Sequence, residues 1–284
     1  MSKMLFPPPK GPDEMAQSSS LFQNKKVVFL DLDGTIYMGD ALIPGAKEFL
    51  NHLEDRGIYS YFLSNNSSRS KSDYVKRLSA LGIHADEERI LLSTDGVIAY
   101  LIERNKKEVY VVGTKSMKQM FLEAGFDIDS SNPGFIVLGF DTELTYEKLK
   151  TAALYIQKGV ELIATHPDFV CPTPEGFIPD TGAMLALFEK ATNKKPHKIF
   201  GKPNPEMITH ILKKHDISPE EVVMIGDRIY TDMELARRVP CDSILVLSGE
   251  TKKEDLESIE KRPTLVVESV ADLIPFLHKN SRVV

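Results

Sequence analysis

From residue 27 onward, short apolar runs alternate with stretches of helical periodicity: VVFL, then AKEFLNHLEDRG, then IYSYFL, then SDYVKRLSALG. A short run that stays apolar suits a strand buried on both faces, and the helical stretch after it supplies the crossover that parallel strands require. The pattern therefore predicts βαβ units and a parallel sheet. It resumes late in the chain, where HKIF, VVMI, SILVL and TLVV are separated by helical stretches such as PEMITHILKKH and YTDMELARR. Between the two blocks lies a further set, with EVYVV, GFIVLGF and ELIAT as strands and KSMKQMFLEAG and TYEKLKTAALYIQKG as helices. The expected fold is α/β: a Rossmann-like doubly wound parallel-sheet core made of residues 25–87 and 195–284, interrupted by an inserted α/β domain at 88–194.

A chain of 284 residues is long enough for this two-part arrangement. No apolar stretch approaches the roughly 20 residues that a membrane span needs. A formal charge of -6 argues against a broad nucleic-acid surface, which relies on clustered Lys and Arg, but leaves room for a small anionic ligand held by one or two cations. Cys171 and Cys241 are the only cysteines and lack CxxC spacing, so they predict neither a zinc ribbon nor a disulfide framework. The opening MSKMLFPPPKGPDEMAQSSS has no apolar signal region, and its Pro and Ser content predicts a disordered leader over residues 1–24 and a cytoplasmic location.

In an open parallel sheet, ligands bind outside the carboxyl ends of the strands. Four strand ends carry polar residues suited to chemistry. VVFL leads into Asp31, Leu32, Asp33, Gly34 and Thr35, which places two carboxylates at alternate positions with a glycine to turn the backbone. YFL leads into Ser64 and Asn65, whose hydroxyl and backbone N–H can donate to a phosphate oxygen near a helix start. KIFG leads into Lys202, and VVMIG into Asp227, with Asp232 five residues on. Each signal alone has a plain structural reading as a turn, a helix cap or a solvated lysine. Their joint occurrence, in this order and each after a buried strand, points to one site.

DLDGT, LSNN, GKP and GDRIYTD together resemble the four motifs of the haloacid dehalogenase superfamily of aspartate-nucleophile phosphotransferases, over nearly everything after the leader. The middle section resembles the large α/β cap of the branch that includes 4-nitrophenyl, phosphoglycolate and sugar-phosphate phosphatases, through STDGVIAYL, VYVVGT, GFDTELTYEKL, IATHPDFVCPTPEG and DTGAM. The resemblance implies a Mg2+-dependent phosphatase acting on a small phosphorylated metabolite, with an aspartyl-phosphate intermediate on Asp31. It implies metal ligands at the Asp31 side chain, the Asp33 backbone carbonyl and the Asp227 side chain. Phosphate binding falls to Gly34, Ser64, Asn65 and Lys202. Asp232 would orient Lys202 or a water on the metal.

Asp33 is left free to act as general acid and then base, and crowding by other carboxylates is expected to raise its pKa while the metal and Lys202 keep Asp31 ionised. In the inserted domain, His166 and Asp168 match the family's specificity loop; Arg228 and Tyr230, beside Asp227, are further candidates for substrate contact. Two other readings share the fold: a phosphotransferase or mutase using the same intermediate, and a non-catalytic phosphometabolite-binding protein. The α/β cap argues against the first, because mutase relatives carry a smaller helical cap. The complete set Asp31, Asp33, Ser64, Lys202 and Asp227 argues against the second.

Overall fold

The computed structural model describes residues 21–173, 175–258 and 261–277. Six parallel strands form the main sheet: β1 (Val27–Asp31), β4 (Tyr59–Ser64), β5 (Ile90–Leu92), β12 (Val222–Gly226), β13 (Asp242–Val246) and β14 (Leu265–Val267). Between β1 and β4, β2 (Tyr37–Met38) and β3 (Ala41–Leu42) make a small antiparallel hairpin. The spatial order is β14-β13-β12-β1-β4-β5. The chain runs from β1 outward to β5, then returns to the other side of β1 and runs outward to β14, so the winding direction switches between β1 and β12. Such a switch opens a crevice at the carboxyl ends of the two strands.

The register explains why VVFLD is apolar throughout. Val28 and Leu30 pack with Val223 and Ile225 on one face, against Phe49, Leu53, Tyr74 and Leu78 from helices Ala46–Asp55 and Lys71–Ala80. Val27 and Phe29 pack with Val222 and Met224 on the other, against Met207, Ile208 and Ile211 of helix Glu206–His215. With helices covering both faces, the central strands β1 and β12 bury every side chain.

The second unit repeats the scheme with four parallel strands, β6 (Val109–Val112), β7 (Phe135–Leu138), β8 (Glu161–Ala164) and β11 (Lys198–Ile199), in the order β11-β8-β7-β6. Helices Ser93–Glu103 and Lys115–Glu123 cover one face of it, and Tyr146–Gln157 and Thr181–Thr192 cover the other. An antiparallel hairpin, β9 (Val170–Thr173) and β10 (Gly176–Pro179), projects from it.

The sheet pairings move the expected boundaries. Ile90–Leu92, placed in the insertion by the 88–194 limits, pairs with Phe62–Ser64 as the edge of the main sheet. The HKIF run, read as a core strand, instead pairs through Lys198 and Ile199 with Ile163 and Ala164 in the second sheet. Strand pairing is a long-range contact, so an apolar run near a boundary does not reveal which sheet it completes. The leader expected over residues 1–24 overlaps the described residues at its end. Residues 1–20 lie outside the described residues, whereas Phe22 is 1% exposed and meets Phe49 edge-on, with ring centroids 6.3 Å apart. Burying such a ring contributes on the order of 1.5–3 kcal/mol.

Candidate active site

Asp31 is the last residue of β1, Asp227 directly follows β12, and Ser64 ends β4, so three neighbouring strands deliver their polar termini to the crevice. Lys202 reaches it from the strand that returns from the second unit. Its buried ammonium lies between the Asp31 carboxylate, with which it forms a short ion pair, and Asp232 Oδ1 at 2.7 Å. Asp232 is aimed there by a wide helical turn, Ile229–Met233, in which Met233 N donates to Arg228 O five residues back at 3.2 Å. Turns of this kind recur at functional sites.

One carboxylate oxygen each from Asp31, Asp227 and Asp232 lies within 4.8 Å of the others. Asp227 Oδ2 accepts a 2.6 Å hydrogen bond from Glu250 N, while Asp227 Oδ1 is buried with no hydrogen-bond partner. An orphaned carboxylate oxygen inside a cluster of acids is costly unless a cation offsets it, and an all-oxygen donor set suits a hard divalent ion. The residues present therefore fit a divalent metal.

The backbone is cut close around this cluster. A Cβ at Gly249 would fall 1.9 Å from Asp227 Oδ2, and one at Gly34, where φ is +87°, would fall 2.6 Å from the same atom. Only glycine lets both segments approach the carboxylate that closely.

Burial raises the Asp31 carboxyl well above its usual range, with Lys202 pulling the other way. Asp227 is pushed up to about 7, first by burial and then by Asp232. For Lys202, burial would depress the pKa, but Asp232 and Asp31 outweigh it and the net shift is upward. Asp33 also shifts upward, through burial and not through the expected carboxylate crowding: the charges facing it are the cations Arg77, Arg228, Arg69 and Lys202, which oppose the shift. Among the described residues the Asp33 carboxyl has no hydrogen-bond partner, and it lines the cavity.

The cavity is narrow, about 40 Å³, and its walls include Asp31, Asp33, Ser64, Lys202, Arg228 and Asp168. The Ser64 hydroxyl is held by Tyr74 Oη at 3.0 Å and accepts from Asn66 N at 3.2 Å. The Asn65 side chain reads the Lys202 backbone in both directions, its Oδ1 accepting from Lys202 N at 2.7 Å and its Nδ2 donating to Lys202 O at 3.0 Å. Asn65 thus locks one motif to another through its side chain, a role the sequence reading assigned to phosphate contact alone.

The two cap candidates separate. Asp168 reaches the site, accepting from Arg228 Nη1 at 3.0 Å and from Asn65 Nδ2 at 3.3 Å. His166 does not line the cavity. It is fully buried, with Nδ1 at 2.8 Å from Thr165 Oγ1 and Nε2 at 2.8 Å from Asp180 Oδ1. Tyr230 is half exposed and donates to Glu250 Oε1 at 2.5 Å. Glu250 itself, which also pairs with Arg228 Nε at 2.9 Å, escaped the sequence reading. The strand-end rule would have found it, because Ser248, Gly249 and Glu250 follow the apolar run SILVL.

Comparison with known proteins agrees with this geometry. A profile of haloacid dehalogenase-like hydrolases matches residues 28–127, and an HAD-hydrolase-like profile matches 199–273. A 5'-nucleotidase from Bacillus subtilis is 31% identical over 253 residues, covering 89% of this chain and 98% of its own. An acid sugar phosphatase from Staphylococcus haemolyticus is 31% identical over 262 residues, covering 92% and 99%. The crystal structure of 4-nitrophenylphosphatase from Thermotoga maritima is 39% identical with a TM-score of 0.87, covering 91% of this chain and 99% of that one. Among the described residues no helix is long and apolar enough to cross a membrane. The chain belongs to the haloacid dehalogenase-like hydrolases, in the branch with an inserted cap domain, and is a phosphatase that hydrolyses phosphoric monoesters.

Proposed function

We propose that this phosphatase is a cytoplasmic, Mg2+-dependent enzyme that hydrolyses small phosphate monoesters of the sugar-phosphate, phosphoglycolate or nucleotide kind through a phosphoryl group carried on Asp31. The observation that carries the reading is Lys202 held between Asp31 and Asp232, beside the orphaned oxygen of Asp227. Relatives named as a nucleotidase, a sugar phosphatase and a nitrophenylphosphatase support the range of esters.

An anionic nucleophile must approach an anionic phosphoryl group, so the site needs positive charge before chemistry begins. Lys202 supplies part of it directly at Asp31. Held by the Asp31 and Asp227 side chains and the Asp33 carbonyl, Mg2+ would supply the rest by neutralising phosphoryl oxygens. Ser64 Oγ and the Asn65 backbone N–H hold the transferring group. Asp31 attacks phosphorus and the ester bond breaks, with Asp33 donating its proton to the leaving oxygen. Asp33 then takes a proton from the water that cleaves the acyl phosphate, regenerating Asp31 and releasing inorganic phosphate. Asp33 suits both steps, because burial raises its pKa above the usual carboxylate value and, among the described residues, no side chain holds its carboxyl in a hydrogen bond.

The test is release of 4-nitrophenol from 4-nitrophenyl phosphate with Mg2+, with chelator, and with Asp31→Asn. Turnover that survives either chelation or the substitution overturns the reading.

A further inference from the structure

The cavity wall facing the phosphoryl site has an electrostatic character that bears on the ester's alcohol portion. Asp31, Ser64 and Lys202 form its floor, so a phosphoryl group at Asp31 directs its alcohol toward the cap, where Asp168, Cys171, Pro172 and Asp180 line the cavity. Two of those four residues are carboxylates. Among the described residues that line the cavity, the cation on that side is Arg228, which is already engaged by Asp168 Oδ2 at 3.0 Å and by a further acid, Glu250 Oε2, at 2.9 Å. Lys202 is likewise engaged by Asp31 and Asp232. Neither cation has spare charge to offer a second anionic group on the substrate, and a carboxylate entering beside Asp168 and Asp180 meets like charge in a poorly solvated space.

The same wall is built to accept hydrogen bonds. Asp180 Oδ1 is taken by His166 Nε2 at 2.8 Å and Thr181 Oγ1 at 3.1 Å, while Asp180 Oδ2 has no partner among the described residues. Asp180 is 4% exposed, and its carboxylate is fixed by the buried His166 and by capping helix Thr181–Thr192. A substrate hydroxyl donating to that oxygen would satisfy it.

We propose that the site selects short phosphate monoesters whose alcohol portion is uncharged and bears hydroxyls, with Asp180 accepting a substrate hydroxyl and the Asp168–Arg228–Glu250 bridge excluding a second anionic group. The proposal rests on the phosphatase reading above and narrows its substrate range. It assigns discrimination to charge balance, not to pocket shape alone.

A matched pair of esters tests it. Glycerol 3-phosphate and 3-phosphoglycerate differ only in a terminal hydroxymethyl against a carboxylate, and 4-nitrophenyl phosphate serves as reference. In the wild type, kcat/KM is expected to favour glycerol 3-phosphate by at least about tenfold. Asp168→Asn, which releases one side of the Arg228 guanidinium, is expected to shift the ratio toward 3-phosphoglycerate by about tenfold. Glu250→Gln, which releases the other side, shifts it in the same direction and keeps the test open if Asp168→Asn does not fold. Equal or better turnover of 3-phosphoglycerate by the wild type overturns the proposal, as does an unchanged ratio in the variants that fold. Failure to turn over any of the three esters refutes the underlying phosphatase reading as well, so the two failures are distinguishable.

Discussion

Arg228 and Asp168 meet at 3.0 Å across the junction of core and cap, one contributed by the loop after β12 and the other by the loop after β8. The Asn65 amide joins them on the core side, and through it Lys202 is tied to the same point. The cap is thereby fastened to two of the core motifs by a buried, charge-assisted network, the kind of arrangement in which removing one member strands the others.

Lys202 is the keystone of the floor, and its replacement has a predictable cost. Lys202→Met leaves the Asp31, Asp227 and Asp232 carboxylates without their ammonium and is expected to destabilise the metal-free protein by about 3–5 kcal/mol. Asp31→Asn removes a charge from the same crowd and is expected to leave stability within about 1 kcal/mol of wild type while reducing turnover at least a thousandfold. Urea unfolding with chelator present, beside a steady-state assay, separates the two; equal destabilisation by both would contradict the charge balance described.

Asp227 links the site to pH. Its folded pKa of about 7 stands above the roughly 3.9 of an unfolded aspartate. Between those values the unfolded chain has lost the proton that the folded chain keeps, so stability of the metal-free protein falls as pH rises through that window and levels off above it. Cation binding demands the ionised form and expels the proton. Apparent Mg2+ affinity is therefore expected to climb by up to about tenfold per pH unit between pH 5 and 7, then flatten. Calorimetric titration in buffers of different ionisation enthalpy reads the released proton directly; an affinity independent of pH would refute it.

Gly249 makes an unusual prediction because it bears no functional group. A methyl there would sit 1.9 Å from Asp227 Oδ2, so Gly249→Ala must displace either that carboxylate or the Ser248–Glu250 segment whose backbone holds it. Mg2+ affinity is expected to fall at least tenfold, measured by the same titration. Wild-type affinity would show that the close approach has no functional weight.

For His166, the expectation is a stability defect. His166→Ala opens a buried cavity and takes one hydrogen-bond partner each from Asp180 and Thr165, at a cost of about 2–4 kcal/mol, with partial recovery in His166→Asn. A raised KM with unaltered unfolding would instead restore the contact with substrate that the sequence suggested.

What was legible in the sequence follows a physical pattern. Asp31, Ser64, Lys202 and Asp227 could be picked out because a parallel sheet buried on both faces writes itself as short apolar runs, and the first polar residues after such runs emerge at the carboxyl edge. HKIF and Ile90–Leu92 were legible as strands but not as members of a particular sheet, since pairing partners lie far away in sequence. Phe22 was hidden because a single aromatic beside a Pro- and Ser-rich leader carries no periodicity.

The sequence by itself determined the α/β class, the order of the four motif segments and the residue types able to perform phosphoryl transfer. Only the tertiary structure decided that Asp168 faces the site while His166, two residues earlier, is sealed behind it, and that Arg228 is shared between Asp168 and Glu250. The reason is that strand-end chemistry is fixed by local periodicity. The charge balance of the cap wall, by contrast, is a sum over residues from distant segments that no local pattern brings together.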